Sequence, residues 1–177
     1  MDTPHWTFTV SLYGDPGVAA ECLSLQERFG VNINLLLFCT YLGSEYGVSL
    51  SREDIACAES AIAGWQMHVV NALRGVRRFL KPPSEGRECS HDASAESLRA
   101  QVKSAELEAE RMEAEMLTDW YLAHRSEWRR DDRNTTLAGN CATVLAHYGA
   151  AQADLPQRLI AAALARTAST ILAAKTV

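Results

Sequence analysis

The sequence predicts an all-α protein: a helical bundle of about six to seven helices, with a long helix hairpin in the C-terminal half. Three observations carry that expectation. Apolar residues recur at three- and four-residue spacing along most of the chain, and strand-like alternation is almost absent. Ser, Thr, Asp or Asn precedes several of these stripes and Gly or Pro follows them, as at helix starts and stops. The composition, 47% hydrophobic and 22% charged over 177 residues, suits one folded domain over 1–177 and excludes a disordered chain.

Thr3 or Pro4 opens a first helix to about Tyr13, with Trp6, Val10 and Tyr13 on one face. Gly14-Asp15-Pro16-Gly17 is turn chemistry, with Asp15 placed to cap a second helix over Pro16–Phe29. Val18, Cys22, Leu25 and Phe29 form its apolar stripe, and Gly30 ends it. Asn32 caps a third helix, about Ile33–Tyr46, which is apolar nearly all round and therefore expected at the centre. Gly43 and Gly47 are expected to loosen its end.

Ser51-Arg52-Glu53-Asp54 resembles a capping box and starts a fourth helix reaching about Lys81. Ile55, Ile62, Trp65, Val69, Leu73, Val76 and Leu80 keep its period, and its length predicts a kink near Gly64 or Gly75. Pro82-Pro83 stops it, so 4–81 forms an N-terminal group of helices and 82–94 a linker. The remainder, 95–177, holds a long fifth helix, about Ala95–Arg125, and two further helices near Asn134–Gly149 and Pro156–Ala174. Leu98, Val102, Ala105, Ala109, Met112 and Met116 form a heptad-like seam along the fifth.

The net charge of −5 argues against nucleic acid as a partner. No apolar run approaches the ~20 residues of a membrane span. MDTPHWTFTV lacks the apolar core of a secretory signal, and the five cysteines form no C-x-x-C pair, so a cytoplasmic protein with reduced thiols is expected.

Three constellations are candidates for function. Arg74, Arg77, Arg78 and Lys81 make a basic stripe, read either as an anion site or as a solvated helix end that complements the helix dipole. Glu106, Glu110 and Glu113 share one face of the fifth helix. Such carboxylates can bind a divalent metal or act as acid and base; alternatively, Glu106 and Glu110 pair with Arg74 or Arg77 and join the fifth helix to the fourth. Gln26, Asn34, His68 and Asn71 stand inside apolar patterns with Trp6, Tyr13, Tyr41 and Trp65 near them in register, as a hydrogen-bond network or a ligand pocket would require.

Metal is not expected: Glu88-x-x-His91 is a lone motif in the linker, where a helical di-metal site needs such motifs on companion helices. No catalytic residue and no cofactor are assigned, because no nucleophile elbow or phosphate-binding glycine loop occurs.

Several stretches resemble an uncharacterised bacterial family, domain of unknown function 2390. They are Trp6-x-Phe8 with Leu12-Tyr13, Pro16-Gly17-Val18-Ala19, Cys22-Leu23-x-Leu25-Gln26, and the run Gly30-Val31-x-Ile33-Asn34-Leu35-Leu36-Leu37-Phe38. Trp65-x-x-x-Val69-Val70, Leu73-Arg74 and Val102-Lys103-x-Ala105-Glu106-Leu107-x-Ala109-Glu110-Arg111 also fit. Ala72 and Tyr41 depart from the proline and tryptophan common in that family. The resemblance implies a small cytoplasmic helical protein and no particular reaction.

The leading functional expectation is a non-enzymatic interaction or regulatory protein with an unidentified protein partner, forming a homodimer through the fifth to seventh helices. The alternatives are a small-ligand or lipid-intermediate binding protein and an enzyme of an unrecognised helical class. Candidate ligand or interaction residues are Gln26, Asn34, Trp65, His68, Arg74, Arg77, Glu106 and Glu110. A deep pocket lined by Gln26, Asn34 and Arg74 would favour the alternatives over the leading expectation.

Overall fold

A computed structural model describes residues 3–81, 92–124 and 128–175, with side chains over 3–81, 93–124 and 128–166. The Glu88-x-x-His91 motif and Cys89 lie outside the described residues, as does most of the linker. The chain runs through α1 (Pro4–Tyr13), α2 (Val18–Phe29), α3 (Ile33–Tyr46), α4 (Arg52–Trp65), a π-helical turn (Gln66–Val70), α5 (Asn71–Phe79), α6 (Asp92–His124), α7 (Arg133–His147), a 3-10 turn (Gln152–Asp154) and α8 (Gln157–Lys175).

Several starts follow the local chemistry that the sequence displays. Thr3 accepts from the Trp6 N–H, Asn32 from the Leu35 N–H, and Ser51 and Asp54 form the reciprocal capping box of α4. The start of α2 differs from expectation. Asp15 does not cap it; the helix opens two residues after Pro16, at Val18, behind Gly17 at φ 85°, and Asp15 instead pairs with Arg166 of α8. The N-terminus of α8 is capped from a distance, because the Glu21 carboxylate of α2 accepts from the Arg158 and Leu159 N–H groups.

Helix α3 is the axis of the bundle: every residue from Leu35 to Ser44 is buried. Its closest partner is α7, and Gly43 makes that contact possible, since a Cβ there would stand 2.8 Å from the Leu137 Cα. Gly43 therefore tightens the helix pair rather than loosening the helix. Asn140 of α7 completes the junction. It donates to the carbonyls of Cys39 and Val48 at 3.0 and 2.9 Å and accepts from the Leu50 N–H at 3.0 Å.

The long helix α6 pairs mainly with α4, the π turn and α5, running antiparallel to them, and reaches α3 and α1 at its C-terminal half. Its hairpin is thus made with the preceding helices. The expected seam does not all face inward: Leu98, Ala105 and Met112 are exposed, Val102 and Met116 are half-buried, and Ala109 is buried. The inward positions are Glu106, Ala109, Glu113, Ala114, Leu117, Trp120 and Tyr121. The three- and four-residue spacing of the apolar set is shared by a neighbouring stripe of carboxylates, and tertiary pairing with arginines selects that stripe. Leu159 and Ile160 of α8 are likewise covered by the chain itself. No helix among the described residues is long and apolar enough to cross a membrane.

Candidate functional site

The π turn carries the chain from α4 into α5 and places Gln66 against α6. Such turns widen the helix by one residue and redirect side chains, and they recur at functional sites. It lies just past Gly64, one of the two positions where a kink was expected.

The face of α6 opposite this turn carries Glu106, Glu110 and Glu113. Arg74 donates to Glu106 at 3.1 Å and to Glu110 at 2.7 Å. Arg77 grips Glu106 with two donors, one of them at 3.1 Å. Arg74 and Arg77 thus join α5 to α6, while Arg78 and Lys81 of the same stripe remain exposed. Burial pushes the Glu106 carboxyl up, but the hydrogen bonds from Arg77 and Arg74 outweigh it and hold the group below its ordinary value.

Glu113 has a different setting. It is fully buried, and its hydrogen-bond donors are all neutral amides. Asn32 donates to it at 3.0 Å with the same amide whose oxygen caps α3. Asn34 donates at 2.5 Å, and Gln66, with its amide nitrogen turned toward the carboxylate, at 2.8 and 3.2 Å. Burial raises the Glu113 carboxyl above its usual range despite the bonds from Asn34 and Asn32. Burial also raises that of Glu110, although Arg74 opposes the shift.

These groups form the polar side of a cavity of about 520 Å³. Trp6, Thr9, Val10 and Tyr13 of α1, Leu23 and Gln26 of α2, and Ile33, Asn34 and Leu37 of α3 line it with Gln66, Arg74 and Arg77. The α6 contribution is Lys103, Glu106, Leu107, Glu110 and Glu113. Trp6, Val10 and Tyr13, expected as a helical stripe, are therefore a cavity wall together with Thr9, while the packed side of α1 is His5 and Leu12. A second, more open cavity of about 850 Å³ lies between α2, α4 and α5 and shares Gln26, Asn32, Gln66 and Arg74 with the first.

Of the residues singled out from sequence, Gln26, Asn34, Arg74, Arg77, Glu106 and Glu110 come together in the first cavity. Trp65 does not line it; its indole N–H donates to the Ala109 carbonyl at 2.9 Å and fastens α4 to α6. His68 is exposed and lines neither cavity. Sequence reasoning missed Thr9, Asn32, Gln66 and Lys103 as lining residues. Asn32 was legible only as a cap, and Gln66 acquires its position from a π turn that no local pattern announces. Among the described residues no group of three or more His, Cys, Asp or Glu side chains is placed to hold a metal ion.

A family model described as a protein of unknown function, DUF2390, matches residues 4–117. The chain belongs to that family. The DUF2390 match runs from the first residue of α1 into α6 and contains every residue lining the first cavity. Helices α7 and α8 lie beyond it. No curated protein and no solved structure matches the chain.

Proposed function

We propose that this DUF2390 protein binds a small amphipathic molecule in the cavity between α1, α2, α3 and α6. The observation that carries this reading is the convergence of Gln26, Asn34, Arg74 and Glu110 on one cavity whose other wall is Trp6, Val10, Tyr13, Leu23 and Leu107. Its volume of about 520 Å³ falls within the ~300–1,000 Å³ of small-molecule sites, which pair apolar walls with a few placed polar groups. Burying Glu113 and the arginines costs stability that an apolar core would not. A polar-floored site gives that cost a use. The free thiols of Cys22, Cys39, Cys57 and Cys141 support a reducing, cytoplasmic setting. Native mass spectrometry of the protein purified from its own cells tests the reading. A retained small molecule that a cavity-blocking Val10→Trp variant lacks supports it; a bare chain contradicts it.

A second reading, self-association, is favoured by one feature. On the hairpin of α5 with the start of α6, Phe79 is 88% exposed, with Val76 and Leu98 also exposed. Exposed large apolar side chains are the raw material of interfaces, and a two-fold dimer is the commonest solution. Sedimentation equilibrium on wild type and Phe79→Ser tests it. A dimer weakened by the substitution supports this reading, and a monomeric wild type ends it.

A further inference from the structure

We propose that the ligand is an amphipathic amine, with its ammonium group at Glu110 and its apolar body against Trp6, Tyr13 and Leu107. This inference rests on the ligand-binding reading and adds the chemical class. The distribution of charge on the cavity floor carries it. Arg77 is committed to Glu106, and Arg74 divides its donors between Glu106 and Glu110. Glu110 Oε1 takes the Arg74 donor, while Oε2 has no hydrogen-bond donor among the described residues. The side chain keeps 25% of its surface open, so a ligand can reach it.

Behind Glu110 lies Glu113, whose hydrogen-bond donors among the described residues are the neutral amides of Asn32, Asn34 and Gln66, with the Arg74 charge acting on it without a hydrogen bond. Burial raises both carboxyls, which is the mark of desolvated anions with too little positive charge beside them. An ammonium group supplies that charge and three donors. Trp6 and Tyr13 line the same cavity, and aromatic rings of this kind attract cations.

An independent feature also points to a polar ligand. Thr9 is 6% exposed and lines the cavity, and its hydroxyl has no hydrogen-bond partner. An anionic ligand would find both half-buried guanidiniums already paired and the exposed Lys103 side chain at the edge.

Isothermal titration of the full chain at neutral pH with 2-phenylethylamine, 2-phenylethanol and 3-phenylpropanoate tests the class. The amine is expected to bind about tenfold or more tightly than the alcohol, the contribution of a charge-assisted contact, and the acid more weakly still. Glu110→Gln is expected to bring the amine down to the level of the alcohol, and Glu113→Gln to weaken it as well, with circular dichroism confirming that each variant is folded. Should one variant not fold, the other decides. An alcohol that binds as well as the amine, or an acid that binds better, overturns the amine proposal and leaves the cavity reading standing. Absence of binding by all three probes overturns both.

Discussion

Asn34 ties the Glu113 carboxylate to the backbone of α6: its side-chain amide donates to Glu113 Oε2 at 2.5 Å and to the Glu110 carbonyl at 3.2 Å. One residue of α3 thereby holds the Glu113 side chain and the α6 backbone at Glu110. Asn34→Ala leaves a buried carboxylate oxygen and a carbonyl short of a donor. The expected loss of stability is about 1–3 kcal/mol in urea unfolding. A change below a few tenths would mean that the carboxylate does not depend on this amide.

Arg74 and Glu106, 14% and 7% exposed at their side chains, form a half-buried pair. The double-mutant cycle of Arg74→Ala and Glu106→Ala is expected to show coupling of about 1–3 kcal/mol. The pair Arg99–Glu96, one turn apart on α6 with the Glu96 side chain 55% exposed, should give no more than about 0.5 kcal/mol. Equal couplings would mean that burial confers no extra dependence on the first pair.

His5 makes stability sensitive to acid. Its buried ring lies 5.0 Å from Phe38, with Nδ1 3.4 Å from the Ala114 carbonyl, and desolvation lowers its pKa from 6.5 to about 4. A histidine lowered in this way contributes stability that is complete above its unfolded value and is lost as pH falls toward the folded one. The share is about 3 kcal/mol, lost between pH 6.5 and 4. Glu110 and Glu113 act in the opposite sense. Their raised carboxyls contribute fully below the unfolded value and lose that share as pH rises through the folded one. His5→Leu should therefore flatten the acid limb of the stability–pH curve and leave the effect of the two glutamates in place. An unchanged acid limb would show that the ring is already solvated.

From within α7, Asn140 bonds the Cys39 carbonyl of α3 and the Val48 carbonyl and Leu50 N–H of the α3–α4 connection. Asn140→Ala leaves the Val48 carbonyl and the Leu50 N–H wanting partners and the Cys39 carbonyl with its helical bond alone, and should cost about 2–4 kcal/mol, more than Asn34→Ala. Thermal melts of the two variants side by side give the order.

The caps at Asn32 and Ser51 and the buried axis from Leu35 to Ser44 were legible in the sequence, because each depends on local chemistry or helical spacing; the joining of Arg74 and Arg77 to the glutamates of α6 was one of several readings that the sequence left open. The orientation of α6 was not. Its Leu98–Met116 seam and its glutamate stripe have the same period and differ by a rotation of the helix, which only the arginines of α5 decide. The cavity was half legible. Gln26 and Asn34 interrupt apolar helices, but Thr9 and Gln66 need the packing of α1 and the π turn to reach the same place. Asn140 carried no signal beyond a polar residue in a helix, since its partners are backbone groups about 90 to 100 residues away in sequence.

The central claim, a ligand site between α1 and α6, is tested most directly by nuclear magnetic resonance of the side-chain N–H groups during titration with 2-phenylethylamine. The Trp6 indole and the Asn34 amide report from the cavity, and Trp120, near the C-terminus of α6, and Trp128, beyond it, report from outside the cavity. The account predicts saturable shifts at Trp6 and Asn34 with Trp120 and Trp128 unmoved. Signals that stay in place at Trp6 and Asn34, or that move equally at all four residues, would contradict it.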